Sequence, residues 1–174
     1  MKYLVKFFVV TFFLLVSTYS FAEQKIVVLD MKHVLNFSKA GKGAQDFLKK
    51  SFTYNQKKFA DIEQNLKKEE IDLLEKRTIL SKEEYSKKSD TLRKKVIDYQ
   101  SQRRSSLDKI ATQRVKSRET LLQKLTPILD SYMKENNISL IIDKKNTLGG
   151  NPEIDITKVI VEKLNKELPS LNLK

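Results

Sequence analysis

Phe52, Phe59, Leu66, Leu73 and Leu80 recur every seven residues, and neither Gly nor Pro interrupts the chain between Ala44 and Ser81. One apolar position kept over four heptads without a helix breaker predicts a long coiled-coil helix. Leu48, four residues before Phe52, and Ile62, three after Phe59, extend the seam. Its second position is poorer, because Asn55, Glu69 and Lys76 occupy it. The helix is therefore expected to be long, with a leaky seam toward its far end.

That series ends where a helix start signal begins. In "SKEEYSKK" (Ser81–Lys88), Ser81 can cap a new helix while Glu84, three residues on, reaches back to the cap's amide. The coincidence predicts that the chain folds back here. The second helix is expected to run to about Asn136, with Tyr85, Leu92 and Tyr99 keeping the seven-residue step and Val96 between them. A slip around Arg103–Leu107 resembles a stutter, after which the apolar positions become Ala111, Val115, Leu122, Leu125, Leu129 and Tyr132. Pro127 costs a helix interior ~3 kcal/mol if unsupported, so a kink is expected near the base of this helix.

Short β-rich segments flank the hairpin. "KIVVLD" (Lys25–Asp30) supplies Ile26, Val27, Val28 and Leu29, and "SLIID" (Ser139–Asp143) supplies Leu140, Ile141 and Ile142. Both read as strands. Gly41 and Gly43 predict a break near Ser38–Gly43 before the main helix. A second short strand is expected around Thr147–Leu148, then a Gly149-Gly150 turn, then a last helix capped by Asp155 with Ile156, Val159, Ile160 and Leu164 on one face.

An antiparallel hairpin returns its end to its start. About forty residues of arm at ~1.5 Å each put the tip on the order of 60 Å away and leave the two strands side by side. Such a pair is marginal alone and has open edges. Both problems vanish if several chains join their strands into one closed sheet. The expected fold is thus α+β, mainly α. A long antiparallel coiled-coil hairpin (residues 44–136, tip near 80–83) projects from a small β-rich base (residues 23–43 and 137–174), and the base closes into an oligomeric β-barrel.

The first 22 residues stand apart from this fold. Lys2 and Lys6 precede an apolar run, Phe7–Val16, and Ser20 and Ala22 place a cleavage site between Ala22 and Glu23. This is the pattern of a secretory signal peptide. The uncharged stretch Phe7–Ala22 has 16 residues, short of the ~20 of a spanning helix. The chain is expected to be exported.

Charge narrows the partners. The chain has 34 Lys and Arg against 22 Asp and Glu, so losing Lys2 and Lys6 leaves 32 − 22 = +10. Polyanions are the natural partners of such a chain. Ser86–Arg118 is the basic focus: Lys87, Lys88, Arg93, Lys94, Lys95, Arg103, Arg104, Lys109, Arg114, Lys116 and Arg118 face only Asp90, Asp98 and Asp108. One reading is a solvated coiled-coil face. The other is an electropositive surface for acidic clients or anionic lipid headgroups. Tyr54, Ile71, Leu74, Ile79 and Ile97 lie off the main stripe and are candidates for client contact or for helix packing.

No catalytic constellation is visible. The chain has no Cys and one His, His33, which reads as a packing or surface residue. There is no metal-ligand spacing, no P-loop and no dinucleotide fingerprint. No cofactor is expected, and no enzyme activity.

The opening strand "KIVVLDM", the Lys/Gln/Glu-rich hairpin and the ending "ISLIIDKKNTLGG…DITKVIVEKLNK" resemble the Skp/OmpH family of periplasmic chaperones. The apolar strand ending in Asp, the loop and the Asp-Ile-Thr that opens the last helix carry the resemblance best. The "LGGNP" loop departs from the family pattern. The resemblance implies a homotrimer whose small β-barrel carries helical arms around a cavity for unfolded outer-membrane β-barrel proteins. It also implies a lipopolysaccharide-binding patch on the basic arm, with Arg114, Lys116 and Arg118 as the nearest candidates. The expected function is an ATP-independent periplasmic holdase. A structural coiled-coil envelope adaptor is the alternative. A nucleic-acid-binding protein rests on charge alone, and export leaves it no physiological nucleic acid.

Overall fold

The computed structural model describes residues 24–173. The expected signal peptide and the Ala22/Glu23 cleavage site lie outside these residues. Strand β1 (Lys25–Leu29) leads into a short helix α1 (Met31–Phe37) and the outgoing arm helix α2 (Lys39–Glu75). A turn through Lys76–Thr78 reverses the chain into the returning helix α3 (Lys82–Glu135). Strand β2 (Ile138–Asp143) and helix α4 (Thr157–Glu167) complete the base.

The strands pair in parallel, Ile26 with Leu140, Val27 with Ile141, Val28 with Ile142 and Leu29 with Asp143. Parallel neighbours need a long crossover, and here the helical hairpin itself is the crossover. The strands therefore lie side by side, as the returning arm requires. Asn137 ends the arm with φ 53°, a left-handed turn that Asn tolerates.

The core sits where the arm meets the base. Val27 and Leu29 of β1, Val34 and Leu35 of α1, Leu121, Leu125 and Ile128 of α3, and Ile160 and Leu164 of α4 form one buried cluster. Polar contacts close its rim. The Asp30 amide donates to Thr157 Oγ1 at 2.9 Å, and the Lys39 amide donates to Asn165 Oδ1 at 2.6 Å.

Several local expectations are corrected. The break falls at Ser38 alone, and α2 runs through both Gly41 and Gly43. Ser38 ends α1 by donating its amide to the Val34 carbonyl, and its hydroxyl accepts from the Gly41 amide at 3.2 Å. Gly41 is needed for close approach: a Cβ there would lie 1.9 Å from the Leu35 carbonyl oxygen. No strand forms at Thr147–Leu148. Asp143 accepts from the Lys145 amide at 3.2 Å and draws the chain into a tight turn, so the extra bridge to β1 comes from Asp155, opposite Val28. Pro127, as expected, lies within α3 near its base. Asp155 sits one residue before the assigned cap of α4, yet its carboxylate accepts from the Thr157 amide at 2.9 Å.

The seam of α3 also differs from its apolar pattern. Tyr85, Ser89, Leu92, Val96 and Tyr99 are half-buried, and the same alternation of three and four residues continues through Ser106, Ile110, Gln113 and Ser117. The slip at Arg103–Leu107 is absent. Polar side chains hold seam positions there, while Ala111 and Val115 face solvent. The phase drifts later, where the buried positions become Ser117, Leu121, Leu125 and Ile128. Leu122, Leu129 and Tyr132 pack on the core cluster as partly buried residues.

Candidate functional site

The arm is the extended surface of this molecule, and its two helices touch unevenly. Ser81 accepts from the Glu84 amide at 3.3 Å, and Glu84 Oε2 accepts from the Ser81 amide at 3.1 Å. This reciprocal cap starts α3 and fixes the reversal at the tip. It also holds the Glu84 carboxyl below its usual range, first through the Ser81 side chain and then through its backbone.

Midway along the arm lies a cross-helix cluster. Phe59 and Tyr99 meet edge to face with centroids 6.0 Å apart. Tyr99 donates its hydroxyl to Glu63 Oε2 at 3.1 Å, and Lys67 reaches Glu63 at 2.9 Å. Hydrogen bonds from Lys67 and Tyr99 lower the Glu63 carboxyl. Burial, then the bond to Glu63, raises the Tyr99 hydroxyl. Lys95 donates to both carboxylate oxygens of Glu69, at 2.9 and 2.7 Å.

On either side of this cluster a crevice runs between the helices. Toward the tip, a crevice of about 470 Å³ is lined by Leu66, Leu73, Leu74, Tyr85, Leu92 and Val96 among others. Toward the base, one of about 720 Å³ is lined by Leu48, Phe52, Arg114, Ser117, Arg118 and neighbours. Small residues, Gly41, Ala44 and Ser117, help leave the basal crevice unfilled.

Apolar side chains also face outward. Tyr54 is 70% exposed, Ile71 56%, Leu74 54%, Ile79 80% and Ile97 57%. All five candidates off the stripe are thus at the surface and available for contact. Leu107 joins them, and so do Phe52 and Val115, although the spacing of these two suggested packing. Phe52 belongs to the heptad series, so periodicity hid its exposure.

The basic residues of the arm are all exposed. Of those between Ser86 and Arg118, two form ion pairs: Arg93 with Asp90 at 3.2 Å, and Lys95 with Glu69. Lys87, Lys88, Lys94, Arg103, Arg104, Arg114, Lys116 and Arg118 form no ion pair among the described residues. At roughly 100° per residue these positions wrap around the helix instead of forming one stripe. Arg114 and Arg118, four apart, share the wall of the basal crevice, while Lys116 does not line it. The cations therefore surround α3, with Arg114 and Arg118 together at the basal crevice.

The strand residues Ile26, Val27, Val28, Leu29, Leu140, Ile141 and Ile142 all lie in the two-stranded sheet. His33 stacks on Phe37 at 4.6 Å on the surface of α1. Among the described residues, no group of His, Cys, Asp and Glu is placed to hold a metal. No helix among them is long and apolar enough to cross a membrane.

Comparison with known proteins covers almost the whole chain. A Skp-like protein of Pseudomonas aeruginosa is 25% identical over 171 residues, covering 95% of this chain and 99% of that protein. A Caulobacter crescentus crystal structure, described as an outer membrane chaperone (OmpH-like), superposes with a TM-score of 0.79 at 18% identity. The match covers 91% of this chain and 94% of that one, and it establishes a shared fold. The family model for outer membrane protein (OmpH-like) matches residues 25–164, from the first residue of β1 into α4. The chain therefore belongs to the OmpH-like family.

Proposed function

We propose that this protein is an ATP-independent periplasmic holdase that encloses unfolded outer-membrane β-barrel proteins between helical arms. Its family membership and the names of its relatives support a chaperone role connected with the outer membrane. The observation that carries the finer reading is the arm surface. Exposed apolar side chains, from Tyr54 through Ile71, Leu74 and Ile79 to Ile97, share the arm with exposed cations of which only a minority form ion pairs. An unfolded client needs many weak, adaptable contacts in place of one pocket. Burying apolar client surface supplies affinity at about 25 cal/mol per Å². The cations speed capture of acidic clients, and they also suit anionic lipid headgroups or lipopolysaccharide.

Three chains joined through their strands form the barrel of this reading, with the arms around a shared cavity. Client is held passively and leaves when its folding destination competes, with no nucleotide step. The signal peptide, cleaved after Ala22, delivers the chain to the periplasm.

The test is aggregation. An outer-membrane β-barrel protein is diluted from urea with residues 23–174 present or absent, without nucleotide, and light scattering is followed. Suppression near one trimer per client is the expected result. Unchanged scattering at several-fold excess would remove the holdase reading and favour a structural envelope adaptor.

A further inference from the structure

The basal crevice of the arm carries a different chemistry on each helix. Arg114 and Arg118 line it from α3, and Leu48 and Phe52 line it from α2. Leu48 is buried and Phe52 is 47% exposed, so the apolar wall runs from the interior to the surface.

The two arginines lack an acid of their own. Asp46 is the one carboxylate in the lining and pairs with neither, while Lys49 adds a third cation. Like charges one turn apart on a helix repel. A carboxylate held between two guanidinium forks removes that repulsion. The crevice nearer the tip has no such bias, because Glu63 and Glu70 line it together with Lys67 and Arg93.

Both walls share one spacing. Four helical residues at ~1.5 Å each set Arg114 and Arg118 about 6 Å apart along α3, and Leu48 and Phe52 equally far apart along α2. In an extended chain, residues two apart lie about 7 Å apart and point the same way, while the residues between them point the other way. We propose that this crevice docks an extended segment of unfolded client in which acidic and apolar residues alternate. The acidic side chains meet Arg114 and Arg118, and the apolar ones between them cover Leu48 and Phe52. The inference rests on the holdase reading above and gives its client a sequence pattern. Strands of membrane β-barrels alternate apolar and polar residues, so those with acidic lumen-facing positions match both walls. A lipid carries its charge at one end of an acyl chain and matches them poorly.

Two short dye-labelled peptides of identical composition test the pattern. One alternates Asp and Leu, and the other holds the same residues in separate blocks. Their binding to residues 23–174 is measured by fluorescence anisotropy. The alternating peptide is expected to bind about tenfold or more tightly than the block peptide. The Arg114→Gln/Arg118→Gln variant loses that preference, with unchanged circular dichroism because both side chains are exposed. Lys158→Gln/Lys166→Gln removes the same charge from exposed positions of α4 and keeps the preference. Equal affinity for the two peptides, or equal losses in the two variants, would reduce the attraction to net charge and overturn the site. Phosphatidylglycerol vesicles that bind through Arg114 and Arg118, with no peptide preference, would assign the crevice to lipid and overturn it too. The aggregation assay separates the two readings. Suppression without peptide preference overturns the crevice alone, and peptide preference without suppression overturns the holdase alone.

Discussion

The base and the arm are built from the same kinds of residue but follow opposite packing rules. In the base, Val34, Ile160 and Leu164 are fully buried, and Leu29 and Leu125 retain 1% exposure. Six elements, two strands and four helices, contribute to that cluster, so each side chain has one place to go. In the arm only two helices meet. The heptad residues Phe52, Phe59, Leu66, Leu73 and Leu80 alternate between exposed, buried and half-buried. Ser106, Gln113 and Ser117 hold seam positions that leucine would fill in a tight zipper. The contrast teaches that the base fixes the architecture, while the arm keeps apolar surface and crevices that a self-satisfied coiled coil would lack.

Core truncation should break this contrast most visibly if it is wrong. Leu164→Ala in the base should cost about 2–5 kcal/mol, measured by urea unfolding followed by circular dichroism. Leu66→Ala in the arm, where the side chain is only half-buried, should cost well under half as much. Equal losses would mean that the arm is packed as tightly as the base.

A glycine pair sharpens the same comparison at the junction. Gly41→Ala forces the Leu35 carbonyl away from a Cβ that would otherwise sit 1.9 Å from it. Overpacking of this kind costs about 1–3 kcal/mol. At Gly43 an added Cβ meets nothing within 4 Å, so Gly43→Ala should stabilise the helix by about 0.5–1 kcal/mol. Melting temperatures moving in opposite directions are the expected result. A shared direction would remove the close-approach account of Gly41.

Acid should weaken the fastening of the base loop. Burial alone would raise the Asp155 carboxyl, but hydrogen bonds from Lys144 and Thr157 outweigh it and hold the pKa at about 2, below the ordinary 3.8. A carboxyl depressed on folding stabilises the native state above its unfolded pKa and loses that contribution as pH falls through the folded one. The loss should therefore run from about pH 4 to about pH 2. Asp155→Asn should flatten this part of the stability profile. An unchanged profile would show that the Lys144–Asp155 pair does not fasten the loop.

The most local effect belongs to the tip. Ser81→Ala removes one half of the reciprocal cap and should cost about 1 kcal/mol, seen as faster amide exchange in the first turn of α3. The base amides should not respond. Faster exchange in the base as well would mean that tip and base unfold together.

The periodic stretch from Phe52 to Leu80, the Ser81–Glu84 cap and the two β-branched runs were enough to specify a helical hairpin on a small strand base. Such signals are local: a heptad needs only its own spacing, and a cap only its next turn. They could not specify the burial of each heptad position, which depends on what the other helix places opposite. Phe52 has the right spacing and is exposed, and Ser117 has the wrong polarity and is buried. The cationic residues Lys87 to Arg118 were equally legible as a composition, but their wrapping around α3 and the pairing of Arg93 and Lys95 needed coordinates. The strand expected at Thr147–Leu148 failed because Asp143 captures the Lys145 amide, and Asp155 takes the bridge to Val28 from twelve residues downstream of β2. Sequence determined the two arm helices, the turn between them and the two strands that flank them, since near neighbours set those free energies. Only the tertiary structure decided which apolar side chains are satisfied and which stay at the surface, because burial is a property of the facing element and not of the residue alone.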